Sequence, residues 1–311
     1  MARKENDEIV IDKCELEKKI KENKDQVIIF EENVKFYLIP ESIFKDENKR
    51  YFVDIKNKKE HYIGILNKTF KKDLFGYILF NQKDEYLGRI LNEKKHGFGI
   101  YKFNSDEKNE RCIYIGNFVN NNINGKGVYI CILNNENKLN KYNCYIGLFE
   151  NGKFKNGKIY SVDNDFEKLE FQEDEEKEGN LNINEKEVIN VERKNNINIY
   201  TKGIMKEKIL IEGCVISIND KETNENQFLY KLNSALQYDF EYFDDENKIN
   251  KLIMEFKSLN FDKYRNTIQE LYNKIEEMIN KMKNDFNYAK ELNIKENFEN
   301  NFVDNFNLLL K

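Results

Sequence analysis

The residues of this sequence whose types could do chemistry are two histidines and one glycine-rich run. His61 precedes a predicted strand, and His96 stands beside Gly97 at a predicted bend. The run Asn124-Gly125-Lys126-Gly127 superficially resembles a phosphate loop, in which backbone N–H groups surround an anion. The sequence lacks the Cys/His spacings of zinc sites and the GxSxG, HExxH and GxxxxGK[ST] motifs. We therefore predict that the chain is not an enzyme and has no catalytic residue, metal site or cofactor.

A repeat explains the glycines better than a phosphate loop does. Tyr86-Leu87-Gly88 is followed after eight residues by Gly97-Phe98-Gly99 and then by Tyr101, and the same pattern runs from Tyr114 to Tyr129. Incomplete copies begin at Tyr62 and Tyr145. Self-similarity at a regular spacing is the signature of a repeat architecture. The repeat-defining residues are Tyr62, Gly64, Gly76, Tyr86, Gly88, Gly97, Gly99, Tyr101, Tyr114, Gly116, Phe118, Gly125, Gly127, Tyr129, Tyr145, Gly147, Phe149 and Gly152.

Each copy has the pattern of a β-hairpin. Apolar residues alternate with a period of two on both sides of a bend rich in Gly and Asn. Counted from the first tyrosine of each copy, position sixteen is Tyr101, Tyr129 and Tyr160, so we expect these three residues to share one phase of the sheet. We expect the glycines to leave room for the aromatic ring of the next hairpin.

These units resemble MORN repeats, the membrane occupation and recognition nexus motif. The resemblance rests on the full pattern from Tyr86 and from Tyr114, on the first half from Tyr145, and on a degenerate copy from Tyr62. His96-Gly97-Phe98-Gly99 also resembles the HGxG bend of the family. The resemblance implies an elongated, twisted sheet of consecutive antiparallel hairpins. It also implies protein scaffolding at cytoskeletal or membrane-associated structures, with lipid binding proposed for some members.

The predicted fold is mainly β with an α-helical C-terminal region. We expect residues 1–25 to be an N-terminal tail or short helix, residues 26–222 to form the hairpin-repeat domain, and residues 226–311 to be helical. The clear repeats occupy residues 62–160 of the repeat domain.

Three further segments of the repeat domain carry weaker signals. The acidic stretch 163–180 predicts a solvated loop, because blocks of like charge repel one another. Short apolar runs typical of strands occur in residues 26–56 and 186–218, which we predict to be eroded hairpins. In residues 186–218, Gly203 and Gly213 would be the remaining glycines of the repeat. Whether residues 186–218 continue the same sheet stays open at this point.

The C-terminal region contains a long amphipathic pattern. From Asp262 to Leu292 apolar residues recur at intervals of three and four, which predicts one helix with an apolar stripe. Three alternatives stay open. The helix folds over the sheet and buries its stripe, or projects and pairs with a helix of another chain to form a homo- or hetero-oligomer, or binds a membrane surface.

Charge and cysteine content limit the class of protein. The net charge of −5 argues against a nucleic-acid partner, since such domains are usually basic. The first residues are charged rather than apolar, and no run of 18 apolar residues occurs. The five cysteines are odd in number and have no CxxC spacing. We expect a cytoplasmic protein that is not secreted, with cytoskeletal or membrane association as the resemblance allows.

The leading functional prediction is a non-enzymatic scaffold or adaptor that binds a protein partner. One alternative is a lipid-binding tether that meets anionic lipid through lysines such as Lys94 and Lys95. Another is a regulatory module of an enzyme complex. The candidate partner-binding residues are Phe98, Phe103, Ile268, Leu271, Ile275, Met278 and Met282.

Overall fold

A computed structural model gives the fold of the chain. It describes residues 2–5, 8–11, 14, 18, 28–31, 34–39, 50–81, 83–104, 110–133, 141–163, 166–172, 185–194, 197–206, 209–219, 228–232, 238–239, 251, 254 and 261–294. These residues fall into two compact units. Unit 1 comprises Met1–Asp106, Cys112–Gly125 and Tyr272–Lys311, and unit 2 comprises Glu107–Arg111 and Lys126–Leu271.

Unit 1 is built on antiparallel strands that pair in chain order. Strands β3 to β9 each pair with the next one, so residues 28–56 join the clear repeats as predicted. The strands are β1 (Ala2–Glu5), β2 (Glu8–Ile11), β3 (Ile28–Glu31), β4 (Val34–Ile39), β5 (Arg50–Lys56), β6 (Glu60–Leu66), β7 (Lys72–Phe80), β8 (Asp84–Leu91) and β9 (Lys94–Asn104). Two further strands, β10 (Glu110–Val119) and β11 (Asn122–Leu133), contribute residues to both units.

Residues 1–25 differ from the predicted tail or short helix. Cys14 and Lys18 are helical, but β1 and β2 form an antiparallel pair in which Ala2 faces Ile11 and Glu5 faces Glu8. The β-branched run Ile9-Val10-Ile11 favours a strand, and the surrounding charged residues obscured that signal in the sequence.

Unit 2 continues the same construction. Strands β12 to β19 also pair consecutively, so residues 186–218 do extend the sheet from the fourth repeat. The strands are β12 (Lys141–Glu150), β13 (Lys153–Val162), β14 (Phe166–Gln172), β15 (Glu185–Lys194), β16 (Ile197–Lys206), β17 (Ile209–Asn219), β18 (Phe228–Leu232) and β19 (Tyr238–Asp239).

Three strands of unit 2 lie where the sequence predicted something else. Strand β14 occupies part of the expected acidic loop 163–180, because Leu169 and Phe171 alternate with charged residues and pair with β13 and β15. The rest of that stretch, residues 173–180, lies outside the described residues. Strands β18 and β19 both lie in the predicted helical region 226–311. Short apolar runs such as Phe228–Leu232 do not distinguish strand from helix by periodicity.

The C-terminal region contains the predicted amphipathic helix, but in two pieces. Helix α1 spans Phe261–Asn284 and helix α2 spans Phe286–Ile294. Asp285 separates them, and its side chain accepts a hydrogen bond from the backbone N–H of Tyr288 at 3.0 Å. An aspartate that caps the next helix in this way ends the preceding one. Neither described helix has the length and apolar composition needed to cross a lipid bilayer.

The sheet of unit 1 has two distinct faces, since successive side chains of a strand point to opposite sides. Ile63, Tyr77, Leu87 and Ile100 face one another across β6 to β9 and are buried, and we call their side the helix face. Helix α2 lies against β6. The other side, which we call the aromatic face, presents in the same order Tyr62, Ile78, Tyr86 and Tyr101.

Candidate binding surface on the aromatic face

The first tyrosines of three successive copies make the same hydrogen bond within their own strand. The Tyr86 hydroxyl donates a hydrogen bond to the carbonyl oxygen of Arg89 at 2.6 Å, three residues further along the strand. The Tyr62 and Tyr114 hydroxyls make the same bond, at 2.7 and 3.1 Å, to the carbonyls of Ile65 and Asn117. Burial raises the pKa of the Tyr86 hydroxyl above its usual range, so the ring stays neutral and inside. The repeat thus folds each tyrosine back over its own strand.

Glycines make room for that ring. A Cβ atom built on Gly88 would lie 2.5 Å from the Cα of Gly99 and 2.7 Å from the Tyr86 hydroxyl oxygen. Gly64 and Gly76 are equally close to the ring of Tyr62. These two pairs of glycines therefore receive the tyrosine of their own hairpin, whereas we had predicted the ring of the next hairpin. The sequence spacing located these glycines but not the ring that covers them.

The bends of the hairpins lie before the HGxG segment. In the second repeat the chain turns at Asn92 and Glu93, which have φ values of +49° and +65°. Positive φ at both central residues is typical of a tight type I′ hairpin turn. His96 and Gly97 lie inside strand β9, and the strand register shifts opposite them, between Gly88 and Ile90. The prediction that His96 and Gly97 form the bend was therefore wrong. Gly125 likewise lies within β11, and Asn124 to Gly127 form part of that strand.

Among the described residues of unit 1, three aromatic side chains on the aromatic face are only partly buried. The rings of Phe80 and Tyr101 are stacked, with centroids 6.3 Å apart, and Phe103 lies 4.6 Å from Tyr101. Asp84 accepts a hydrogen bond from the Tyr101 hydroxyl at 2.9 Å. The ammonium of Lys95 lies over Tyr101, with its Nζ 4.4 Å from the ring centroid. We call Phe80, Asp84, Lys95, Tyr101 and Phe103 the aromatic patch.

Comparison with known families addresses the hairpins directly. A family model described as MORN repeat matches residues 86–107 and 114–132, the two copies in which the pattern is complete. The chain carries MORN repeats. A comparison with curated proteins finds no match. The consecutive antiparallel hairpins are those that the MORN resemblance implied, and the C-terminal helices are those that the apolar periodicity predicted.

In the degenerate fourth copy, the tyrosine at position sixteen lies on the opposite face of the sheet from the first tyrosine. Gly147 pairs with Gly157, as paired glycines do in the other copies, but the second strand has one residue fewer before Gly157. Tyr160 therefore lies opposite Cys144 rather than opposite the first tyrosine of its copy. A shift of one residue moves a side chain to the other face of a sheet. The expected equivalence of Tyr160 with Tyr101 and Tyr129 was wrong for this reason.

A second hairpin of unit 2 also contains a cross-strand pair of glycines. Gly203 lies opposite Gly213 across β16 and β17, in the same relation as Gly147 and Gly157. This pairing is what the predicted eroded hairpin requires, but the family model does not match these residues, so their origin in a repeat stays a prediction.

The MORN repeats of unit 2 carry half-exposed rings of their own. The rings of Tyr129 and Tyr145 lie 6.1 Å apart, and Phe154 lies 5.5 Å from Tyr145. Burial raises the pKa of the Tyr129 hydroxyl. Sequence reasoning included Tyr129 and Tyr145 as repeat residues but missed Phe154, which lies outside the pattern.

The predicted partner-binding residues are mostly inside the fold. Phe98 is only 7% exposed, and Phe103 is half-exposed. On helix α1, Ile268, Ile275 and Met282 are buried, whereas Leu271 and Met278 are half-buried. A partner would meet the buried ones only if the helix left the sheet. Sequence reasoning missed Phe80 and Asp84 and considered Lys95 only as a lipid contact, although the alternation of Phe80 with Ile78 could have placed that ring on the aromatic face.

The helix face is closed by buried carboxylates that pair with helix α1. In unit 1 the carboxylate of Glu85, 4% exposed, accepts a hydrogen bond from the Tyr77 hydroxyl at 2.9 Å and lies 2.6 Å from the Lys283 Nζ. Lys102 adds a bond to Glu276 of the helix at 2.9 Å. The docked alternative for the helix is therefore the one that unit 1 adopts.

Unit 2 holds its own part of α1 by the same kind of contact. Glu167, 3% exposed, lies 3.1 Å from the guanidinium of Arg193 and 3.9 Å from that of Arg265 on the helix. The Tyr142 hydroxyl donates to the side-chain oxygen of Gln269 at 3.2 Å. In both units a buried strand glutamate thus meets a basic residue of the helix.

Proposed function

We propose that this chain is a non-enzymatic MORN-repeat scaffold that binds a protein partner through the aromatic face of its sheet. The observation that carries the proposal is the difference between the two faces of unit 1. The helix face is covered by α1, whose Glu276 and Lys283 pair with Lys102 and Glu85 of the sheet, and α2 lies against β6. The aromatic face keeps the rings of Phe80 and Tyr101 half-exposed beside Phe103.

The chemistry of the aromatic patch suits a protein interface. Aromatic side chains are enriched at the centres of such interfaces, where a few of them supply most of the binding free energy. Contiguous apolar groups on a surface mark interaction sites more often than scattered ones do. Here three rings adjoin one another, with the charged groups of Asp84 and Lys95 beside them. A cytoplasmic assembly at the cytoskeleton or at a membrane is the setting that we propose.

The helix residues support a secondary role in this proposal. Ile268, Ile275 and Met282 are buried, so the apolar stripe of α1 stabilises the fold and is not exposed to a partner. Oligomerisation through α1 would require both buried glutamates, Glu85 and Glu167, to lose their helix partners. Removing one partner of a buried charge pair is costly, which favours the aromatic face as the binding surface.

The test compares two double variants of the full chain. Phe80→Ala with Phe103→Ala removes two rings of the aromatic patch. Leu91→Ala with Val119→Ala is the matched control, since it removes similar apolar groups, 49% and 41% exposed, from two hairpin ends of the same unit. Each form is expressed in its native cell, and its neighbours are captured by proximity labelling and quantified by mass spectrometry.

We expect the patch variant to lose a defined protein partner by at least about 10-fold, the effect of one interface hot spot of about 1.4 kcal/mol. The control should retain that partner. Thermal unfolding of both variants establishes that the fold is kept. Equal capture by the patch variant, or flotation of the purified chain with anionic liposomes in place of any protein partner, would overturn the proposal and favour the lipid tether.

A further inference from the structure

The ammonium of Lys95 lies inside a group of aromatic rings. Its Nζ is 4.4 Å from the centroid of Tyr101, 5.2 Å from that of Phe80 and 5.8 Å from that of Tyr86. Cations within about 6 Å of an aromatic face are attracted by the negative charge of the ring face. Asp84, bonded to the Tyr101 hydroxyl, adds an anionic group to the same place. These residues form what we call the ammonium site.

A primary ammonium is a poor occupant of such a site. It is compact and strongly hydrated, and it needs hydrogen-bond acceptors that ring faces do not supply. Burial accordingly lowers the pKa of Lys95 from its ordinary value, an effect that the charge of Asp84 opposes. An N-methylated ammonium keeps the positive charge but has fewer or no N–H groups to desolvate. Aromatic cages therefore select methylated ammonium ions.

Hydrogen bonds hold two of the three rings of the site in place. Tyr86 is held by its bond to the carbonyl of Arg89, and Tyr101 by its bond to Asp84. The backbone N–H of Lys95 donates to the side-chain oxygen of Asn121 at 2.8 Å, and its carbonyl accepts from the Asn121 N–H at 3.0 Å. Only the flexible stem of Lys95 would have to move for another cation to enter. Such preorganisation lowers the cost of binding.

We propose that the rings of Phe80, Tyr86 and Tyr101 bind an N-methylated lysine side chain of a partner protein, which replaces the ammonium of Lys95. This rests on the proposed function in one respect, that the partner is a protein. The carboxylate of Asp84 favours a lysine over a phosphocholine headgroup, because it would repel the phosphate that follows the choline nitrogen. Lys95 then acts as an internal competitor that leaves for solvent when the ligand binds.

The test uses a short capped peptide with one trimethyl-lysine and the full-length protein. Binding is measured by calorimetry and by the upfield NMR shift of the methyl protons above the rings. Three further probes are the unmodified peptide, the peptide whose trimethylammonium is replaced by a neutral tert-butyl group, and phosphocholine. The variants are Phe80→Leu, Tyr101→Leu and Lys95→Ala, with Leu91→Ala as the control.

We expect the trimethylated peptide to bind at least about 5-fold more tightly than the neutral isostere, since the attraction depends on charge. Phe80→Leu and Tyr101→Leu should each weaken it by about 5-fold or more, and Leu91→Ala should leave it unchanged. Lys95→Ala should tighten binding by about 3-fold or more, because a competing occupied state is removed. Because one of the two ring variants could fail to fold, the loss of peptide binding is judged on the variant that keeps the fold.

Three outcomes would overturn the inference: equal binding of the neutral isostere, no gain from Lys95→Ala, or phosphocholine binding as tight as the peptide. The third would assign the site to a lipid headgroup. Failure here is distinguishable from failure of the scaffold proposal. A partner lost on removal of Phe80 and Phe103 would stand even if no methylated peptide bound, and peptide binding would stand even if no such partner were captured.

Discussion

At the residue scale, the repeat is a packing unit made of one tyrosine and two glycines. The Tyr86 ring is fully buried, its hydroxyl donates to a strand carbonyl, and it packs edge-to-face with the ring of Phe118, with centroids 5.3 Å apart. Gly88 and Gly99 lie beneath the ring, where any side chain would collide with it. The first tyrosine and the paired glycines of this repeat therefore belong to the core, whereas Tyr101 of the same repeat is only partly buried.

The first prediction concerns Gly88. Gly88→Ala places a Cβ 2.5 Å from the Cα of Gly99, against backbone that cannot rotate away. We expect a loss of about 1–3 kcal/mol in the free energy of unfolding, as for other overpacked cores. Urea denaturation followed by circular dichroism measures it.

Gly152→Ala is the control for Gly88→Ala. Nothing lies within 4 Å of its added Cβ, but its φ of +79° is unfavourable for alanine. It should cost about 1 kcal/mol from the backbone alone. If Gly88→Ala were no more destabilising than this control, the tyrosine would not be held against the glycine pair as described.

At the element scale, helix α1 is positioned by charge as well as by its apolar stripe. Arg265 and Lys283 are about five helical turns apart and so lie on one side of the helix. Arg265 meets Glu167 within unit 2, and Lys283 meets Glu85 within unit 1. Both glutamates are almost fully buried, and a buried carboxylate without its partner is destabilising. The charges thus fix the register of the helix on the strands that it covers.

The second prediction follows for Lys283. Lys283→Met keeps the apolar stem but removes the ammonium from Glu85, which retains Tyr77 and the more distant Lys102 at 3.7 Å. We expect a loss of about 1–3 kcal/mol in the free energy of unfolding, the cost of an undersatisfied buried group. Adding Glu85→Gln should recover part of it, as a double-mutant cycle would measure.

Lys281→Met is the matched control on the same helix turn. Its partner Glu277, at 2.8 Å, is exposed, so the melting temperature should not change measurably. A Lys283→Met variant as stable as this control would mean that the buried pair does not hold the helix.

At the scale of the whole molecule, buried tyrosines link stability to alkaline pH. Burial raises the pKa of Tyr62, and burial together with the neighbouring carboxylate of Glu85 raises the pKa of Tyr77. Burial does the same for Tyr86 and Tyr114. In the unfolded chain these hydroxyls ionise near pH 10. The folded chain keeps protons that the unfolded chain loses, so stability is complete below about pH 10 and falls as the pH rises above it.

The third prediction is an alkaline transition in which ionisation and unfolding coincide. Absorbance at 295 nm reports tyrosinate, and circular dichroism reports the sheet. We expect the repeat tyrosines among the 18 of the chain to ionise only as the sheet is lost, above about pH 10. Tyr86→Phe should make the loss of stability with pH less steep. Complete ionisation of all tyrosines near pH 10 with an intact sheet would contradict the buried arrangement.

The sequence by itself determined the hairpins and their repeat. Period-two alternation around Asn- and Gly-rich turns is a local property, and the glycine spacing in the copies from Tyr86 and Tyr114 follows from backbone contact between adjacent strands. The apolar stripe of α1 could also be predicted from local sequence, because residues three and four positions apart lie on the same face of a helix. The break between α1 and α2 at Asp285 was not predicted, because it depends on the capping hydrogen bond that the structure shows.

Only the tertiary structure decided which residues face outward. One missing residue before Gly157 moved Tyr160 to the opposite face, and the sequence does not state the register of two strands. Phe98 is buried while Phe80 is half-exposed, and Lys95 reaches three rings that lie in three different strands. The binding surface depends on pairing between strands, and pairing is set by packing across the whole sheet rather than by neighbours in sequence.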